Sequence, residues 1–140
     1  MDCIFCKIVR RELPSSIVYE DDLFMAFLDI HPTVKGHVLI MPKEHYPKLD
    51  ETPEELVGSL FQLVARLAPV ITHGAGAEGY NIGVNNGTVA GQVITHTHVH
   101  ILPRRGDDNK SLWESSEYSP GELEQYWQVI KESVENNQDS

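Results

Sequence analysis

The chain has 140 residues, 41% of them hydrophobic and 23% charged, with a formal net charge of −10, the profile of one globular domain with enough chain to bury a core. The acidic balance argues against a nucleic-acid backbone binder, which needs a broad basic surface, although a small anion needs only a local cluster of donors. Apolar runs such as Val38 to Met41 are too short to cross a bilayer, and the N-terminus lacks the basic-then-apolar form of a secretory signal, so no membrane partner and a cytoplasmic location are expected.

Residues 2–9 are mostly apolar around Cys3 and Cys6, a Cys-x-x-Cys pair. In a reducing compartment such a pair is left with metal binding, redox chemistry or no chemistry at all. Residues 10–16 read as a loop, 17–20 as a short strand and 23–28 as a second strand, after the turn at Asp21-Asp22. Residues 29–36 form a long turn punctuated by Pro32 and Gly36, and 37–41 a third strand. Thr52-Pro53-Glu54-Glu55 supplies a capping threonine, a proline for the first helical position and a glutamate to close a capping box. Leu56, Leu60, Leu63, Leu67, Val70 and Ile71 then recur at helical spacing to about His73, and Gly74-Ala75-Gly76 ends the helix. Residues 80–84 read as a strand and 85–92 as a loop of turn formers.

The most informative stretch is Thr95-His96-Thr97-His98-Val99-His100-Ile101-Leu102-Pro103-Arg104. Its histidines alternate with β-branched or apolar residues, the period of a strand, which would stand His96, His98 and His100 in a row, roughly 6–7 Å apart. Such a row could be a polar strand face, a metal cluster or a nucleophile with its helpers. Metallo-hydrolases of the His-x-His-x-Asp-His type need a carboxylate where this chain has Ile101. A neutral imidazole can instead attack phosphorus and split one hard displacement into two. Just upstream, Asn85, Gly87, Gly91 and Gln92 offer side-chain amides and backbone N–H groups to phosphate oxygens, though an ordinary turn would carry the same residues. Cys3 and Cys6 are half of a zinc site, for which His45 and His96 are candidates; an inert buried pair fits the spacing equally well. Asp29, at the end of a predicted strand, is either a ribose ligand or a turn former. Arg104 and Arg105 read as solvated. Residues 104–118 are polar and irregular. Ser119-Pro120-Gly121-Glu122 repeats the capping logic before a helix with Leu123, Tyr126, Trp127, Ile130 and Val134 on one face, and 136–140 is expected to be a frayed tail. Short strands in hairpin-like succession around one central helix predict a single antiparallel α+β domain over 1–140.

Taken together, these residues resemble the histidine triad (HIT) family of nucleotide hydrolases and transferases. Its motif, His-φ-His-φ-His-φ-φ with φ apolar, is matched by residues 96–102 except that Thr97 is half polar. Residues 3–8, 19–22, 27–32 and 36–45 resemble the family's opening and middle, and Asn85 with Gly91-Gln92 its phosphate loop. The resemblance implies an antiparallel sheet with a central and a C-terminal helix, and a homodimer whose sheets join across the two-fold. It also implies that His98 attacks the α-phosphorus to form a covalent nucleotidyl-histidine, that His100 contacts the phosphate and assists the leaving group, and that His96 orients the site. Asn85, Gly91 and Gln92 would hold phosphate, Asp29 the ribose hydroxyls, and Phe5 and Ile30 a purine base. The chain's first half is most like bacterial-type members, in which the equivalents of Cys3, Cys6, His45 and His96 hold a structural zinc. Val93 stands where some phosphoramidases of the family have serine, while residues 98–105 followed by Gly106-Asp107 resemble the fragile-histidine-triad branch. Expected substrates are therefore AMP-containing: dinucleoside polyphosphates or nucleoside phosphoramidates. The alternative is a nucleotide sensor without turnover.

Overall fold

The computed structural model describes residues 3–109 and 115–138. In chain order the elements are α1 (Ile4–Val9), β1 (Ile17–Glu20), β2 (Phe24–Leu28), β3 (Val38–Pro42), α2 (Glu54–Gly74), β4 (Gly79–Gly83), β5 (Val99–Arg104) and α3 (Glu122–Gln138). The five strands form one antiparallel sheet in the order β1-β2-β3-β5-β4, the α+β architecture expected from the sequence.

Strands β2 and β3 are buried at every position, so both faces of the sheet are covered, and strand alternation divides their side chains between two cores. Phe24, Ala26, Leu28, Val38, Ile40, Val99 and Ile101 join Leu60, Leu63, Val64, Leu67, Ala68 and Ile71 of α2 in the larger one. Met25, Phe27, Leu39 and Met41 point to the other face, where they meet Phe5 and Ile8 of α1. By length and hydropathy α2 could cross a membrane; its leucine stripe is instead consumed by the sheet. Helix α3 lies on α2 so closely that a Cβ at Gly74 would sit 2.8 Å from Ser133 Cβ and 2.9 Å from Ile130 Cα. Ser133 Oγ donates to Val70 O (2.8 Å), and Trp127 Nε1 donates to Ile17 O (2.8 Å), tying α3 to both α2 and β1.

Several local expectations are corrected. The cysteine pair opens a short helix, α1, that the apolar run did not reveal, with Cys3 at its N-cap and Cys6 inside it. Thr52 does not cap α2; Pro53 holds the cap position without a side-chain hydrogen bond. The Thr52 hydroxyl donates to Lys48 O (2.8 Å) and pairs with Thr97 Oγ1 (3.0 Å). At α3 the capping logic holds, since Glu122 Oε1 accepts from the backbone N–H (3.0 Å) and hydroxyl (3.2 Å) of Ser119. The helix continues through residues 136–138, expected to fray, with Asn137 Nδ2 donating to Ser133 O (2.9 Å); 139–140 and, in the irregular connection, 110–114 lie outside the described residues. Arg104 and Arg105 are structural rather than merely solvated. Arg104 forks onto the Asp108 carboxylate (2.8 Å twice), and Arg105 donates to Ala75 O (2.7 Å) and Gly76 O (3.2 Å) behind α2.

Candidate active site

The three histidines do not lie along one strand. Pairing of β5 with β3 begins at Val99↔Ile40, and with β4 at His100↔Gly83, so nothing extends the ladder upstream. Residues 95–98 turn instead, His96 N–H donating to Ile94 O (2.9 Å) and Thr97 N–H to Tyr46 O (2.7 Å). Only His100 takes its face from the sheet. It stands opposite Leu39, which stands opposite Phe27, and so faces the α1 side. A cavity of about 590 Å³ opens there, within the usual range of small-molecule sites. Phe5, Asp29, Ile30, Gly91, His98 and His100, all expected at the site, line it together.

Hydrogen bonds assign a tautomer to each buried imidazole. His98 Nδ1–H donates to the His96 carbonyl at 2.6 Å, which leaves Nε2 with a free lone pair. His98 is only 6% exposed, and the Phe5 ring stands edge-on at 5.1 Å. His37 is a member of the site that the motif did not single out. Its Nδ1 accepts the Thr33 N–H (3.1 Å), so its Nε2–H donates to His100 Nδ1 (2.9 Å), and the ring hydrogen of His100 is on Nε2. A lone histidine heading an otherwise apolar strand, just after Gly36, was the signal available: such a residue is buried and must find a partner. His37, His100 and Asp29 are close enough to suggest a second metal site. The Thr33 N–H rules against it, because it occupies the Nδ1 lone pair and keeps the proton on the nitrogen a metal would need. Asp29 accepts the His31 N–H (2.9 Å), and its second oxygen lies 3.9 Å from His37 Nε2.

In the loop expected to hold phosphate, the side-chain amides are used within the protein. Gln92 is buried and does not line the cavity. Its Oε1 accepts Gly87 N–H (2.8 Å), while Nε2 donates to Pro47 O (2.6 Å) and Ile94 O (3.0 Å). The side chain thus shapes the loop, and the Gln92 backbone N–H is engaged as well, donating to Gly87 O (3.1 Å). Asn85 also lies off the cavity lining, against Gly91, where a Cβ would be 3.6 Å from Asn85 Nδ2. Gly91 has φ +93°, a left-handed conformation that favours glycine.

Beside this site, Cys3, Cys6, His45 and His96 bring one donor atom each within 4.8 Å of one another. Cys3 Sγ is 3.5 Å and Cys6 Sγ 3.7 Å from His96 Nδ1. Cys6 Sγ is 3.4 Å from His45 Nδ1, and the two Nδ1 atoms are 3.3 Å apart. Tetrahedral bond lengths for zinc require about 3.5 Å between sulfur and nitrogen and about 3.3 Å between nitrogens. His96 Nε2–H donates to Pro42 O (2.8 Å), so its Nδ1 lone pair faces the cluster, the outer hydrogen bond expected of a metal ligand. The residues fit a four-coordinate metal.

A model of the HIT domain matches residues 10–107. The chain belongs to the HIT domain family. Among its relatives, an adenylylsulfatase of Arabidopsis thaliana is 47% identical over 114 residues, 81% of this chain but 57% of that protein. An adenosine 5′-monophosphoramidase of Schizosaccharomyces pombe is 38% identical over 96% of this HIT chain and 99% of its own length. In structure, a zinc-bound histidine triad family protein from Mycobacterium smegmatis matches with TM-score 0.88 and 34% identity, over 99% of this chain and 97% of its own. A histidine triad nucleotide-binding protein from Sulfolobus tokodaii matches with TM-score 0.86 and 38% identity, over 96% and 93% of the two chains.

Burial governs the charge state of this HIT site. It pushes His37 and His100 down to about 3, with neighbouring imidazoles adding to the effect. It also lowers His98, against the opposing pull of the His96 carbonyl. Burial raises the Asp29 carboxyl, offset in part by the His31 N–H. Histidines held neutral in the fold contribute stability above their unfolded value of about 6.5, and lose it as acid protonates the unfolded chain first. Thermal unfolding followed by circular dichroism should give a Tm that is flat above pH 7 and falls progressively below about pH 6.5. His37→Asn should flatten part of that slope; an unchanged slope in the variant would remove His37 as a cause.

Proposed function

We propose that this HIT protein hydrolyses AMP-type phosphoramidates through a covalent intermediate on His98. One observation carries the reading: the short bond from His98 Nδ1–H to the His96 carbonyl presents an unprotonated Nε2 at the wall of a nucleotide-sized cavity. The names of the Schizosaccharomyces and Arabidopsis relatives support an AMP-type substrate. In the first step, Nε2 of His98 bonds to the α-phosphorus and the phosphorus–nitrogen bond breaks. The departing nitrogen takes one proton from solvent at the cavity mouth. In the second, water adds to phosphorus, the His98–phosphorus bond breaks, one proton returns to solvent, and AMP leaves. His100, neutral because it is buried, serves as a hydrogen-bond donor from Nε2 to the phosphoryl or leaving group, held in that tautomer by His37. Asp29 receives the ribose hydroxyls, and Phe5 and Ile30 wall the base.

His98→Ala should lower turnover of an adenosine phosphoramidate by on the order of 10³-fold or more, while AMP binding measured by calorimetry stays within a few fold. Near-normal turnover would end the nucleophile assignment, and a wild type that binds AMP yet turns over nothing would make the protein a nucleotide sensor.

Cys3, Cys6, His45 and His96 are proposed to hold a zinc ion. With four protein ligands it would be structural, neutralising the two thiolates and cross-linking α1 to the segments that carry His45 and His96. Purified Cys6→Ser protein should contain less zinc by elemental analysis and melt lower than wild type; a metal-free wild type of full stability would count against the site.

A second copy of the chain is the proposed partner at the free edge of β4, where Tyr80 and Ile82 are exposed. A sheet edge with apolar side chains is a template for strand pairing. Sedimentation should give a dimer for wild type and a shift toward monomer for Ile82→Lys; a monomeric wild type at micromolar concentration would exclude it.

A further inference from the structure

The turn between β2 and β3 carries Asp29 at one end and His37 at the other, and the Asp29 N–H closes it by donating to His37 O (3.0 Å). Asp29 lines the cavity, and His37 fixes the tautomer of His100. The groups that hold this turn come from far along the chain. Tyr118 Oη accepts the Gly36 N–H (2.9 Å). Ser116 donates to Pro32 O from both its backbone N–H (2.8 Å) and its hydroxyl (2.7 Å). Lys35 reaches the other way: its Nζ donates to Glu117 O, pairs with Glu122 (3.0 Å) and lies 4.7 Å above the Tyr118 ring. Residues 116–122 thus form a strap across Pro32, Lys35 and Gly36.

Gly36 is buried at φ +89°, packed so that a Cβ there would lie 2.9 Å from Ala75 Cβ. Its N–H is therefore a buried donor, and the Tyr118 hydroxyl is its acceptor. Burial pushes that hydroxyl up to about 12, against the pull of the Gly36 N–H, so Tyr118 stays a neutral phenol and contributes a hydrogen bond rather than a charge. We propose that Tyr118 is a positioning residue of the active site: by holding Gly36 it sets where Asp29 stands toward the ribose and where His37 stands toward His100. This rests on the phosphoramidate reading above, in which Asp29 receives the ribose hydroxyls and His37 keeps His100 a donor. Tyr118 acts on both through the backbone of residues 29–37.

Tyr118→Phe keeps the ring and removes the acceptor, leaving a buried donor unpaired. Nitrogen-15 NMR of the histidine rings should find His37 and His100 each in one tautomer in wild type and averaging between two in the variant. His98, held by the His96 carbonyl, should keep its own tautomer in both. The variant should bind AMP about fivefold more weakly by calorimetry and turn over an adenosine phosphoramidate about tenfold more slowly. Ser133→Ala, which removes a hydrogen bond between α2 and α3, should lower Tm and leave the histidine signals, AMP affinity and turnover at wild-type values. Unchanged histidine signals or unchanged AMP affinity in folded Tyr118→Phe would each overturn the proposal and leave Tyr118 a structural residue. Should that variant not fold, Ser116→Ala, which loosens the strap at Pro32, takes its place: a shift of the same signals upholds the proposal and wild-type signals end it. A wild type without turnover or AMP binding would end the functional reading instead, and the histidine signals then decide the role of Tyr118 by themselves.

Discussion

The site depends on what His96 does with three of its polar atoms at once. Its Nε2–H is held by the Pro42 carbonyl at the end of β3, its Nδ1 faces the sulfurs of α1, and its own carbonyl holds the His98 ring. A buried imidazole with both nitrogens engaged has one allowed orientation and one tautomer. Because the backbone of 95–98 has no ladder to lean on, these contacts and the Thr97–Thr52 hydroxyl pair replace the sheet as the frame for His98. The His98 imidazole is thus placed by contacts outside the sheet, while its neighbour His100 is placed by strand register.

That division explains why the sheet needs two unlike faces. The face against α2 and α3 is an ordinary aliphatic core, tight enough that Gly74 admits no side chain. Among the described residues the opposite face carries one six-residue helix, α1, with a cavity beside it. Phe27, Leu39 and His100 stand in register across three strands on that face, so two apolar residues of the cavity wall and the proposed phosphate-contacting histidine share one row. His37 extends the row's chemistry by one hydrogen bond and keeps His100 a donor toward the cavity.

Much of this was legible in the sequence, for physical reasons that can be named. The leucine spacing of α2 and the continuous apolar runs of β2 and β3 report burial directly, and burial is what those elements are built on. The clustering of Asp29, Gly91, His98 and His100 was implied by the resemblance to the HIT family, whereas their spacing in the chain left it open. What escaped depended on contacts distant in the chain. The alternating histidines had the period of a strand, but a strand needs a partner: β4 ends opposite His100, and β3, though it runs on to Pro42, stops pairing with β5 at Ile40↔Val99. Gln92 has the amide of a phosphate ligand, yet three nearby backbone groups, including Pro47 O, take it first. Thr52 has the residue type and position of a cap and is drawn away by Lys48 and Thr97. In each case local propensity was overruled by a partner that sequence spacing does not reveal.

Helix α1 is too short to be stable by itself, and it sits between two sets of anchors. Cys3 and Cys6 belong to the donor cluster, while Phe5 and Ile8 form the cavity wall in the same two turns. A segment of this size gains and loses order as a unit, so the cluster and the wall are parts of one local folding transition. A ligand held by either set would stabilise the ordered helix, and by reciprocity of linkage two such ligands would raise each other's affinity by the same factor. The opening of the chain is in this sense a hinge pin common to two binding equilibria, and its amide hydrogens would exchange with solvent at a rate that reports on both.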